Sequence, residues 1–233
     1  MQDYNLYQTF AKKTFGFTFD DPERLVTALT HRSYMNEHKK SAKEHNERLE
    51  FLGDAVLELV VTEYLYLNFS EPEGILTNWR AALVRTESIG AAGAKLELGE
   101  LMRLSRGEKH GSDRAREQIL ANAFEAVTGA IYLDKGYDTA KEFILKNIIS
   151  TFKEILDTGS WRDAKSRLQE VAQSIESQTP IYKVIEEIGP DHDKMFTLGV
   201  YVAGKLRGKG TGPSKQVAQQ EAAKAALASY SKS

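Results

Sequence analysis

Hydrophobic positions in the first two thirds of the chain recur at helical intervals. Leu25, Ala28 and Leu29 follow an Asp-Asp-Pro start at 20–22, where proline suits a first helical turn. A long apolar segment covers 47–69, and further helical runs cover 76–95, 116–133 and 137–157. Residues 107–112, in RGEKHGSD, read as an exposed loop. The segment DTGSW, 157–161, is short, polar and helix-breaking, and it marks a boundary. Beyond it the period changes. A helical stretch at 163–175 precedes Pro180 and the extended run IYKVIEE, and a GPDHDK turn leads into the alternating FTLGVYV. The Gly-rich basic turn GKLRGKGTG suggests a third short strand, and an Ala-rich helix covers 214–228. The expected architecture is an all-α domain at 1–157, a linker at 158–162 and a small α+β domain of order α-β-β-β-α at 163–231.

Composition agrees with two globular domains. Of 233 residues, 41% are hydrophobic and 27% charged, with 17 Gly and 5 Pro, which excludes disordered, fibrous and low-complexity chains. Apolar stretches fall far short of the ~20 residues that span a bilayer, so no membrane partner is expected. MQDYNLYQTFAKKTF lacks the apolar core of a signal peptide. Without cysteine there is no disulfide framework and no thiolate metal site, and a cytoplasmic location is expected. The net charge of −2 conceals an asymmetry. Between Lys194 and Lys224, Lys205, Arg207, Lys209 and Lys215 join these two lysines against one acid, Glu221. Such a local basic stripe matters more for phosphate binding than total charge does.

The segment HNERLEFLGDAVLELVV, 45–61, carries the most chemistry. Glu47, Glu50 and Asp54 at i, i+3, i+7 share one helical face. A solvated acidic face is the ordinary explanation, but the neighbours make this helix apolar nearly all round and so predict burial. Buried carboxylates cost several kcal/mol each unless a cation compensates. In QILANAFEAVTGAIYL, Asn122 and Glu125 again stand i, i+3 within an apolar run. Gly53 and Gly129 would let the two helices approach until these oxygens converge. Hard oxygen ligands point to Mg²⁺ or Mn²⁺ rather than zinc, and to metal-assisted phosphoryl chemistry.

With these residues in view, the chain resembles bacterial ribonuclease III. HNERLEFLGDAVL matches that family's signature, and ALTHRSY (28–34), Glu73-Gly74, LELGELMRLSRGE (96–108) and ILANAFEAVTGAIYLD (119–134) follow in order. The blocks DAKSRLQEVAQ, P-x-Y at 180–182, GPDHDKMF, GKGTGPSK and AAKAAL resemble its double-stranded RNA-binding domain. The resemblance implies an endonuclease of double-stranded RNA that processes rRNA and mRNA precursors, leaves 5′-phosphate and 3′-hydroxyl ends, and acts as a homodimer without an organic cofactor. It implies that Glu50, Asp54, Asn122 and Glu125 are metal positions. Asp54, Glu125 and Glu47 are the catalytic acids, Glu73 is a further acidic position, and Phe51 packs across the dimer interface; an ordinary core Phe is the other reading of Phe51.

One position departs from the family: Asn122 stands where the family usually has Asp. An amide oxygen still binds a hard cation, but the site loses one negative charge, which weakens ion affinity and favours Mn²⁺. The alternative expectation is therefore a double-stranded RNA-binding protein whose cleavage is weakened or lost.

A-form RNA is read through phosphates and minor-groove 2′-hydroxyls. By resemblance, Gln169 and Glu170 address one minor groove, and Pro190, Asp191 and His192 the next. Lys215 and Ser214, at the start of the last helix, meet phosphate, Ser214 being equally a natural N-cap. Gln216 replaces a second basic residue frequent in the family, which lowers the expected phosphate affinity.

Overall fold

The computed structural model describes residues 4–38, 43–190 and 194–230. The chain divides into two compact units, residues 1–161 and 162–233.

The described residues of the first unit contain helices and no named strand. They are α1 (Tyr4–Phe15), α2 (Pro22–Ala28), α3 (Arg32–Glu37), α4 (Glu47–Asn68), α5 (Glu73–Leu83), α6 (Thr86–Lys95), the single turn α7 (Arg106–Lys109), α8 (Asp113–Asn147) and α9 (Phe152–Thr158). Asp21 caps α2 by accepting from the Glu23 N–H, with Pro22 in the first turn, as the Asp-Asp-Pro sequence predicts. The run expected at 76–95 is two helices, because the backbone leaves helical geometry at Val84 and Arg85. The loop expected at 107–112 begins with α7, which Ser105 caps through the Glu108 N–H. The break expected between 133 and 137 is a kink within α8 at Gly136, whose φ of 83° suits only glycine well.

α8 is the spine of this unit. From Ile119 to Ile131 it is buried along most of its circumference, with Phe124 and Ile131 among the largest fully enclosed side chains. α4 lies against it in the most extensive contact between any two elements, and α6 packs on its N-terminal half. α4 is not buried all round. It buries Gly53, Val56, Leu57, Val60, Val61 and Leu65, whereas Phe51, Leu59, Tyr66 and Leu67 are exposed. α8 covers one side of α4 and α5 packs more narrowly beside it, so much of its apolar surface still faces outward.

The second unit is α10 (Ala164–Glu176), β1 (Ile181–Ile188), β2 (Met195–Val202), β3 (Lys205–Gly212) and α11 (Lys215–Tyr230). The three strands form an antiparallel sheet in the order β1-β2-β3. The third strand is eight residues long, a full match for its neighbours rather than a short one. Its glycines are the reason it pairs so closely under α11. A methyl group at Gly210 would stand 2.1 Å from the Ala222 nitrogen, so the helix lies on bare backbone. Ala218, Ala222, Ala223 and Ala226 close that contact, and Leu168, Ala164 and Val200 complete the core.

Candidate active site

The start of α4 is fixed from outside the helix. The Asn46 N–H donates to the Thr30 carbonyl at 2.9 Å, and Thr30 forms an isolated parallel bridge with Arg103. The blocks ALTHRSY and LMRLSRGE, far apart in sequence, thus meet where the acidic helix begins. The Ser105 N–H donates to Ser33 Oγ at 3.1 Å and the Arg106 N–H to Glu37 at 3.2 Å, which ties α3 to the segment before α7.

Two helices then bring the acids together. A methyl group at Gly53 would fall 1.7 Å from the Glu125 carbonyl oxygen, and one at Gly129 2.3 Å from the Leu49 carbonyl oxygen. Backbone lies against backbone at this crossing, and Asp54, next to Gly53, is held beside Glu125. Burial, then the charges of Asp54 and Glu50, push the Glu125 carboxyl up to about 8. Glu50 is also raised, by burial, Glu47 and Asp54. No ion pair compensates Glu50, Asp54 or Glu125 among the described residues. These three acids crowd together without a compensating cation among the described residues, a strain that a hard divalent cation would relieve, and their all-oxygen donor set suits Mg²⁺ or Mn²⁺. Among the described residues, no three acidic or histidine side chains are already drawn around one point, as mutual repulsion dictates.

Among the remaining site positions, Glu47 and Asn122 have partners of their own. Glu47 pairs with Arg32 at 3.5 Å and lies 3.8 Å from His45 Nδ1, while its charge still bears on Glu50. Asn122 is partly exposed on α8, and its Oδ1 accepts a 2.7 Å hydrogen bond from Gln118 Nε2. Glu73 begins α5 and lines a cavity of about 450 Å³ with Thr62, Leu65, Tyr66, Leu76 and Arg80. Thr62 lies eight residues, about 12 Å, along α4 from Asp54, so one chain does not bring Glu73 to the acid cluster. Phe51 is 80% exposed, which excludes the ordinary core reading. Sequence reasoning missed Arg32, His45 and Gln118. Only the last was accessible to it, four residues before Asn122 on the same helical face.

In the second unit, Gln169 and Glu170 are exposed on α10, and Pro190 is exposed after β1. Asp191 and His192 lie outside the described residues. Ser214 Oγ accepts from the Val217 N–H at 3.3 Å, the N-cap role. Lys215 pairs with Glu187 at 3.1 Å and sits over the Phe196 ring. The basic residues do not form one stripe. Arg207 is bound to Glu176 at 2.6 Å, Lys224 to Glu221 at 2.7 Å, and Lys209 stands across from Gly199 on the sheet face turned away from α11.

Comparison with known proteins identifies both units. Residues 21–152 match the Ribonuclease-III-like family model, and residues 164–230 match the double-stranded RNA binding motif. The chain is 44% identical over 217 residues to ribonuclease 3 of Desulforamulus reducens, covering 93% of this chain and 88% of that protein. It is 47% identical over 209 residues to ribonuclease 3 of Moorella thermoacetica, covering 89% and 88%. A solved ribonuclease III nuclease domain from Campylobacter jejuni, described as flexible in a region involved in dimer formation, is 41% identical. Its TM-score is 0.53, over 59% of this chain and 96% of that domain. With a family model matched on each unit and relatives more than 40% identical over most of the chain, the chain belongs to the ribonuclease III family.

Proposed function

We propose that this protein is a divalent-metal-dependent endonuclease of double-stranded RNA, working as a homodimer on rRNA and mRNA precursors in the cytoplasm. The observation that carries the reading is the crossing of α4 and α8 at Gly53 and Gly129, which holds Asp54 beside Glu125 with no cation among the described residues to neutralise them. Glu50, Asp54 and Glu125 would hold Mg²⁺, or Mn²⁺ in its place. Bound there, the ion supplies a Lewis acid for the scissile phosphate and a more acidic water at neutral pH. Glu125 must give up its proton to serve as a ligand. Glu47, held by Arg32 and His45, is the acid left outside the ligand set and free to orient RNA or water beside it.

Dimerisation is supported by the outward stripe of α4. Phe51, Ala55, Leu59, Thr62 and Tyr66 recur every three or four residues and are all exposed. The same face carries an apolar knob, Phe51, and the cavity bounded by Leu65, Tyr66 and Leu76, a self-complementary pair that a two-fold axis satisfies. In the second unit, Gln169, Glu170, Pro190, His192, Ser214 and Lys215 would contact successive grooves of the duplex.

The test is cleavage of an end-labelled RNA duplex with Mg²⁺, Mn²⁺ or EDTA. We expect short fragments with 5′-phosphate and 3′-hydroxyl ends in either metal, none in EDTA, and none from Glu125→Gln. Duplex binding without cleavage in both metals, with activity restored by Asn122→Asp, would establish the RNA-binding alternative. The hydrogen bond that occupies Asn122 Oδ1 favours keeping that alternative in the assay.

A further inference from the structure

Asn122 has one atom able to bind a hard cation, its Oδ1; its Nδ2 carries two hydrogens and offers no lone pair to a metal. That oxygen already gives one of its two lone pairs to a hydrogen bond. Gln118 Nε2 donates to it at 2.7 Å across one turn of α8. The direction of this bond matters. Gln118 lies one turn toward the N-terminus of α8, and Glu125 lies one turn the other way, so the bond draws Oδ1 away from the carboxylates. The local electrostatics favour the same arrangement. A carbonyl dipole aimed at Glu50, Asp54 and Glu125 would be repelled, whereas an N–H would be attracted. The backbone beneath Gln118 is also fixed, because α6 packs its glycines on this turn. A methyl at Gly90 would stand 2.8 Å from the Glu117 oxygen, and one at Gly93 2.7 Å from the Leu120 oxygen.

The geometry points to a neutral amide pair in which Gln118 withdraws Asn122 from the ligand set. The divalent cation is then held by Glu50, Asp54 and Glu125 alone, and Asn122 faces the site as a hydrogen-bond donor. This inference rests on the nuclease reading above and sharpens it. The fourth metal position of the family is here a group suited to a phosphate oxygen or a metal-bound water. Gln118 is a positioning residue, acting through Asn122.

The test measures Mn²⁺ binding to the full chain without RNA, by electron paramagnetic resonance of free Mn²⁺. Asn122→Ala is expected to bind Mn²⁺ within threefold of the unsubstituted protein; a larger loss makes Asn122 a ligand and overturns the proposal. Gln118→Ala frees Oδ1 to turn toward the cation, so affinity should rise at least threefold, and the rise should vanish in the double variant with Asn122→Ala. A smaller rise in the single variant, or one that survives in the double variant, also overturns it. Both substitutions place alanine on an outward helical position, where it is well tolerated. Glu125→Gln is the separate control. It should lower Mn²⁺ affinity at least tenfold, and unchanged affinity there would bring down the nuclease reading itself, whatever Asn122 does.

Discussion

Glu125 is the residue on which charge and function meet. Its carboxyl, raised to about 8, holds a proton at neutral pH that the ordinary carboxyl of an unfolded chain has lost. Between roughly pH 5 and 8 the metal-free native state therefore binds the extra proton, and its stability falls as pH rises through that window. Thermal melts in EDTA should show this decline, and Glu125→Gln should remove its share of the slope. A divalent cation displaces that proton, so calorimetric titrations at pH 7 in buffers of different ionisation enthalpy should report proton release on binding. Glu187 poses a different question. It holds Lys215, the basic residue expected to meet phosphate, so RNA must break that pair before the lysine is available. Glu187→Gln should tighten duplex binding about two- to fivefold at low salt and leave a steeper salt dependence, measured by filter binding or anisotropy.

The contact between α4 and α8 depends on two missing side chains. Gly53→Ala places a methyl group against the Glu125 carbonyl, where backbone cannot yield without the helices parting. Overpacking of this kind costs about 1–3 kcal/mol or more. Here it also moves Asp54 from Glu125, so denaturant melts and Mn²⁺ affinity should fall together. The start of α2 is held in another way. The Asp134 side chain, 1% exposed, accepts from the Asp20 and Asp21 N–H groups at 2.8 and 3.0 Å, with Lys135 and Arg24 beside it. Burial alone would raise this carboxyl, but those hydrogen bonds and Lys135 outweigh it and leave it lowered. Its stabilising contribution is complete above the ordinary aspartate range and is lost as pH falls through the depressed value. Asp134→Ala should cost about 1–3 kcal/mol at neutral pH and flatten the acid limb of the stability profile, as it removes two hydrogen bonds to a charged acceptor.

For the proposed homodimer, the exposed stripe of α4 is the feature with the largest consequence. Phe51→Glu should shift the sedimentation coefficient from dimer to monomer while leaving the helical content unchanged, since the side chain makes no core contact in the single chain. Cleavage should fall with it, because Glu47, Glu50 and Asp54 lie on the same helix next to that stripe.

Periodicity and turn chemistry carried much of this architecture in plain view. The helical first part, the α-β-β-β-α order and the shared face of Glu50 and Asp54 follow from spacing, because a helix fixes which residues share a face, and glycine marks where backbones touch. Other features were decided by contacts between distant segments. Whether α4 is enclosed or half bare depends on which helix reaches it, and hydrophobicity reads the same in either case. The apparent basic stripe broke up because Glu176, Glu187 and Glu221 arrive from other elements or other turns. Glu47 acquired Arg32, fifteen residues earlier, only because Thr30 meets Asn46. Side-chain partners of this kind arise where separate elements converge, and no local pattern encodes them.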